Sequence, residues 1–426
     1  MNQKSSTSRR KIRYRQALYL LLFCNLLLCC ISFYQSVQNE IPDSIKLFAG
    51  EKSTFSYGIP AKGMLSSQSE EEESCETISV NLNQPFTVKA DSTGEYVMES
   101  RLFGLFHLKK TTVKVLDTKE VVPCGLPVGI YVKTDGMLVL DTQILNCKDG
   151  LNYEPAKNIV KAGDYILEVN GQNIKGKEEL KEIVAQSKGK DIELLINRDG
   201  KQFKVSVTPV MTKEGVYKLG IWVRDDTQGL GTLTYISGKK FGALGHGISD
   251  IDTGTRMEIE GGSLYEAHIL AIKKGEKGSP GELIGQVSYG DAGYLGKIEN
   301  NTGFGIYGTL SRPINGLSDQ KPMQIGLKQE VKKGKACIRL ILDGKSKDYE
   351  IQIEKVDGSN KNIKKGMVIK ITDKRLLKET GGIVQGMSGS PILQNGKLVG
   401  AVTHVLVNDP TRGYGIFIEN MLDAAG

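Results

Sequence analysis

The sequence predicts a mainly β chain of several folded units, with a small α+β domain near its middle and a β-rich domain at its C-terminal end. Three observations predict it. The chain has 426 residues, about two to three times the length of an ordinary domain. Glycine is abundant, at 50 residues against 12 Pro and one Trp, which suits short strands joined by tight turns. Short alternating apolar runs recur along the chain, whereas a clear helical spacing falls at 177–187. A composition of 39% hydrophobic and 25% charged residues is that of a globular protein and excludes a wholly disordered one.

The net charge of +7 is local. Lys4, Arg9, Arg10, Lys11, Arg13 and Arg15 occur within residues 1–16 with no acid, so the remaining chain sums to about +1. No basic footprint is left to bind phosphates, and a nucleic-acid partner is not expected. The six charges precede an apolar run, residues 17–34, broken only by Asn25 and Ser32. Eighteen residues rising ~1.5 Å each span ~27 Å, enough for the hydrocarbon core. Basic residues before the run hold that end in the cytoplasm, so the rest is expected outside. The run reads as a transmembrane signal-anchor. A cleaved signal peptide is the competing reading, but Phe33, Tyr34 and Gln35 offer no small-x-small site.

Residues 35–77 are polar and irregular, with an acidic run at 70–73, and are expected to form a flexible tether. Short alternating runs over 78–122 predict a small β unit without evident chemistry. Cys24, Cys29 and Cys30 lie in the apolar run, and Cys75, Cys124, Cys147 and Cys337 are spaced singly. Without C-x-x-C spacing no metal site is expected.

Residues 123–210 change rhythm. After Gly125-Leu126-Pro127-Val128-Gly129-Ile130 come an alternating strand, a loop and the segment AGDYILEVNGQNI. A helix follows at 177–187, with Leu180, Ile183 and Val184 on one face. Two strands joined at Asp199-Gly200 complete it. This order resembles a PDZ domain of bacterial peptidases. The resemblance implies a peptide, by its C-terminus or as an extended segment, added as a strand beside a groove. It places the carboxylate-binding loop on Gly125, Leu126, Val128, Gly129 and Ile130, with Pro127 removing one amide.

From residue 218 onward the chain is again Gly-rich and strand-like, and carries three chemical stations. His246 sits in Ala243-Leu244-Gly245-His246-Gly247, where flanking glycines leave an imidazole accessible. Gly386-Met387-Ser388-Gly389-Ser390-Pro391 is close to the nucleophile turn of chymotrypsin-like peptidases. It is not the G-x-S-x-G elbow, because position 390 is Ser and a strand follows. Ser388 is the first candidate nucleophile and Ser390 the second, with the amides of Gly386 and Ser388 as the candidate oxyanion hole. Of the four histidines, His107 lies outside this region, and His268 and His404 sit in strands and read as structural. His246 is therefore the best base. Asp250 and Asp252 lie close to His246 in sequence, and Asp373 ends the alternating strand MVIKITD, so spacing alone leaves the orienting carboxylate open.

The segments GTLTYISGKKFGALGHGISDID and KITDKRLLKETGGIVQGMSGSPILQNGKLVGAVTH, with the anchor and the PDZ-like unit, closely resemble the stage IV sporulation protein B family. These are the exported, PDZ-containing serine peptidases of endospore-forming bacteria. The resemblance implies a trypsin-like double β-barrel peptidase over 218–426 and a triad of His246, Asp373 and Ser388, with no cofactor. It also implies anchoring in the forespore membrane, facing the space between forespore and mother cell. The implied substrates are the chain itself, within 35–77, and stage IV sporulation protein FA. Cleavage of the latter releases an intramembrane protease that processes the late mother-cell sigma factor. A catalytically inactive PDZ scaffold is the alternative.

Overall fold

The computed structural model describes residues 3–67, 77–174, 176–317, 319–357 and 365–426; Cys75 and the acidic run at 70–73 lie outside them. The chain divides into two compact units, Met1–Thr118 and Lys119–Gly426.

The first unit opens with one helix, Gln3–Glu40. Its stretch Tyr14–Glu40 has a mean hydropathy of 2.2 in its most apolar window, is unburied there, and is long enough to cross a membrane. An apolar surface of this length is compatible with anchoring. The helix runs past the expected end at residue 34, and its last turns are packed. Tyr34 Oη donates to the His107 carbonyl at 2.6 Å, and Gln38 Nε2 to that of Leu108 at 3.0 Å. Val37 and Ile41 join a core with Ile45, Leu47, Phe55 and Ile59.

The expected tether is thus corrected over 35–67. Strands Ser44–Phe48 and Ala61–Ser67 belong to a five-stranded sheet with Ile78–Asn81, Gly94–Leu102 and Phe106–Leu116. Ser44–Phe48 pairs parallel to Phe106–Leu116, and Ala61–Ser67 antiparallel to Gly94–Leu102. The polar average of this stretch concealed a handful of apolar side chains, each placed on the buried face. The β unit expected over 78–122 accordingly begins near residue 41, and Glu120 already starts a strand of the second unit.

That strand, Glu120–Thr142, is 23 residues long and organises the second unit. It pairs along most of its length with Ile221–Ser237, and through 128–134 with Ile259–Lys273 on its other side. Both lie in a twelve-stranded sheet. The expected carboxylate loop, Gly125, Leu126, Val128, Gly129 and Ile130, is corrected by this geometry: all five residues are within the strand. Their near-continuous apolar run is what a strand covered on both faces requires, and Val128 and Val132 are fully buried. Pro127, which lacks a ladder donor, falls just beyond the end of the Ile259–Lys273 pairing at Val128.

The PDZ fold occupies the far end of the same sheet. Tyr165–Val169, Ile192–Arg198 and Lys201–Val207 extend it, and the helix Lys177–Gln186 covers it with Leu180 and Val184. Asp199 and Gly200 both take positive φ, 52° and 78°, as the two-residue hairpin turn demands. The rest of the second unit contains a closed barrel of six strands: Gly334–Ile341, Ser346–Val356, Met367–Ile371, Asp409–Phe417, Lys397–Leu406 and Pro391–Gln394. Alternate residues such as Ile351, Ile353, Ile369 and Ile371 fill it. A second core, including Val128, Leu233, Phe241 and Leu264, lies under the long sheet. The chain is therefore mainly β with a small α+β PDZ domain, as expected.

Asp164 of the AGD segment is almost fully buried and paired to Arg198 at both oxygens, each at 2.7 Å. Removing one partner strands the other charge in a poorly solvated place. Arg198→Ala should therefore cost about 2–4 kcal/mol, read as faster hydrogen exchange across Ile192–Arg198. A change below about 0.5 kcal/mol would mean that the pair is only a surface contact.

Candidate active site

The two glycine-bounded turns meet on the strand Lys397–Leu406 and on Thr232. Gly389 is the pivot. Its φ is +96°, and a Cβ there would lie 2.1 Å from the Thr232 carbonyl oxygen and 2.5 Å from the Leu244 amide nitrogen. Only a residue without a side chain lets the serine turn approach the histidine turn so closely. The Gly389 amide donates to the Val402 carbonyl at 2.8 Å, the Thr232 amide to Ser388 at 3.0 Å, and the Leu244 amide to Thr232 at 3.2 Å. Thr232 Oγ1 donates to the Gly386 carbonyl at 2.7 Å.

Ser388 is half-buried, and its hydroxyl donates to the Thr403 carbonyl at 2.6 Å. Ser390 is fully buried and its hydroxyl donates to Met387 at 2.5 Å, so it points into the fold. Around this turn the amides of Gln385, Met387, Gly389 and Ser390 all donate to carbonyls. Among the described residues no hydrogen bond is made by the amides of Gly386 and Ser388. Gly386 has φ +97° and borders an open cleft of about 420 Å³, lined also by Gln228, Leu230, Glu282, Tyr289 and Gln385.

His246 Nδ1 lies 2.9 Å from the carbonyl of Gly247. A carbonyl only accepts, so Nδ1 carries the hydrogen and the neutral ring has its basic lone pair on Nε2. The loop that follows is pinned by Asp250, a buried carboxylate paired with Arg224, which also holds Asp252 at 2.7 Å. Burial pushes the Asp250 carboxyl upward, but the Thr253 amide and the Arg224 charge outweigh it, so it titrates below its ordinary value. Both acids are thereby used in shaping the loop.

Asp373 has its own set of partners. It caps the helix Lys374–Thr380 by accepting from the Arg375 and Leu376 amides. The Arg375 guanidinium reaches it at 2.7 and 3.1 Å, and the Glu350 amide at 3.3 Å. The Arg375 hydrogen bond leads in holding its carboxyl down at about 2, against the smaller opposing effect of burial. The structure thus brings the serine and histidine turns together, whereas Asp373 is engaged by Arg375.

His404, read from the sequence as structural, stands beside the histidine turn. Its ring lies against His246, with centroids 4.7 Å apart and an interplanar angle of 35°. The signal was available in the hairpin. Pro391–Gln394 and Lys397–Leu406 are joined by the Asn395-Gly396 turn, so residues 402–404 must return beside the serine turn. His107 and His268 occupy exposed strand positions.

Two family models match the chain: the SpoIVB peptidase S55 family over residues 215–422, and a PDZ domain over 155–198. Among solved structures, the PDZ domain of an SdrC-like protein from Listeria monocytogenes is 23% identical with a TM-score of 0.17, covering 21% of this chain and 87% of that one. Its counterpart from Listeria innocua is 26% identical with a TM-score of 0.16, covering 20% and 93%. The serine and histidine turns both fall inside the first of these matches, so residues 215–422 carry a domain of the SpoIVB peptidase S55 type, a family of serine peptidases, beside a PDZ domain.

Proposed function

We propose that Ser388 is the nucleophile of this peptidase, His246 its base, and the Gly386 and Ser388 amides its oxyanion hole. The observation that carries the reading is the meeting of the two turns over Thr403, with those two amides making no hydrogen bond among the described residues. A peptide enters the cleft beside Gly386. The Ser388 hydroxyl turns from the Thr403 carbonyl, passes its proton to His246 Nε2, and its oxygen attacks the peptide carbonyl. The C–N bond breaks as His246 returns the proton to the leaving amine. Water then hydrolyses the acyl-enzyme by the same route. Each amide aimed at the oxyanion contributes about 3 kcal/mol.

The resemblance names Asp373 as the group that orients His246. To do so it has to exchange Arg375, which holds its carboxylate. The same resemblance supports the finer biology: anchoring in the forespore membrane, self-cleavage, and cleavage of stage IV sporulation protein FA as a sporulation signal. An inactive scaffold is the second reading, favoured by the resting hydrogen bond from Ser388 to Thr403. Covalent labelling by a fluorophosphonate separates the two.

In detergent micelles the full chain should shorten over time by intact mass, while Ser388→Ala stays whole. Equal truncation of both would assign the cut to another nucleophile. Asp373→Asn should lower turnover about 10²–10⁴-fold without unfolding the barrel, and unchanged turnover would remove Asp373 from the site. The same variant tests a pH effect. The Asp373 carboxyl titrates at about 2 when folded and near its ordinary value, about 4, when unfolded. Its contribution to stability is therefore complete above pH ~4 and lost as pH falls toward 2. Melting temperatures of the wild type and Asp373→Asn should converge across that window, and a constant difference would exclude it.

A further inference from the structure

PDZ-type recognition adds an extended segment to a sheet edge beside a helix. Here the edge is residues 137–142 of the strand Glu120–Thr142. One side of it pairs with Tyr165–Val169, through Leu138 and Met137. The other side is already taken: Ile221 faces Thr142, Trp222 faces Asp141, Val223 faces Val139 and Arg224 faces Leu138. Ile221 and Val223 pack against the PDZ core that contains Leu180 and Val184 of the helix Lys177–Gln186, while Trp222 points outward. The helix has no side-chain cap of its own at Gly176. Asp225 supplies one, accepting from the Lys177 amide at 3.0 Å and from Lys177 Nζ at 3.2 Å. Residues 221–225 thus satisfy the strand edge, the apolar face and the helix N-terminus together, as a bound peptide would.

The same strand continues into the catalytic half. Arg224 holds Asp250 and Asp252 in the loop after His246. Eight residues on, Thr232 holds the Gly386 carbonyl through its hydroxyl and the Ser388 carbonyl through its amide.

We propose that residues 221–225 are a built-in ligand of the PDZ groove, and that an extended peptide of the same pattern displaces them and thereby changes the catalytic turns. The pattern is two apolar residues at alternate positions, then an acid two residues further on. The proposal rests on the PDZ fold and on the assignment of Ser388, so binding and labelling are read separately.

The probe is a fluorescent octapeptide copying residues 219–226 with Phe in place of Trp, added to the full-length Ser388→Ala chain in micelles. Hydrogen exchange should show the amides of 221–225 losing protection on binding, while those of 137–142 keep theirs. Asp225→Ala, which weakens the internal ligand, should bind the probe about 5-fold more tightly, and Val223→Thr should act in the same direction. No binding at roughly 1 mM probe, or binding that leaves 221–225 protected, overturns the proposal. With Ser388 intact, a saturating probe should raise the rate of fluorophosphonate labelling about 3-fold. Ser388 that labels at one rate with and without probe overturns the link to catalysis. Ser388 that never labels instead overturns the nucleophile assignment and leaves the binding result standing.

Discussion

The pairing of Glu120–Thr142 with Ile221–Ser237 is the constraint on which the second unit depends. Two strands of 23 and 17 residues share a ladder that starts in the PDZ fold, meets the serine turn at Thr232 and ends at Ile236. Glu120–Thr142 is held on its other edge by Tyr165–Val169 at one end and Ile259–Lys273 further along. The bulges at Trp222/Val223 and at Arg224/Asp226 fall where the ladder leaves the PDZ fold. Such irregularities re-aim side chains, and here they flank the arginine that ties the strand to the histidine loop.

What the sequence revealed and what it hid have physical reasons. Local chemistry was legible: Asp199-Gly200 and Asn395-Gly396 made their turns, the helix at 177 buried Leu180 and Val184, and the serine station formed a turn rather than an elbow. Pairing across long separations was not. Nothing in Gly125–Ile130 itself distinguishes a glycine-rich loop from a strand paired along both edges, because the pairing residues come from 229–233 and 264–266. Likewise the polar stretch after residue 35 holds just enough apolar side chains to complete a sheet whose other strands lie beyond residue 78. His404 was set aside by its alternation, although alternation fixes which face it takes and not what lies on that face.

The serine turn shows how conformational freedom and hydrogen bonding divide the work. Glycines at 386 and 389 permit positive φ and close approach, and the strand that follows supplies the acceptors that hold the turn. The resting hydroxyl of Ser388 is satisfied by a carbonyl and the resting carboxylate of Asp373 by a guanidinium. A polar group already partnered costs little to keep buried, so a latent site of this kind is stable as it stands.

The packing of the first unit bears on what cutting the chain can accomplish. The end of the long helix and the strands Ser44–Phe48 and Ala61–Ser67 share one core and one sheet with Gly94–Leu102 and Phe106–Leu116. A peptide bond broken after residue 67 leaves those strands hydrogen-bonded across the break, as the two pieces of a nicked protein remain joined. Scission and release are then separate events. The first has the rate of a chemical step, and the second has the rate at which a five-stranded sheet comes apart.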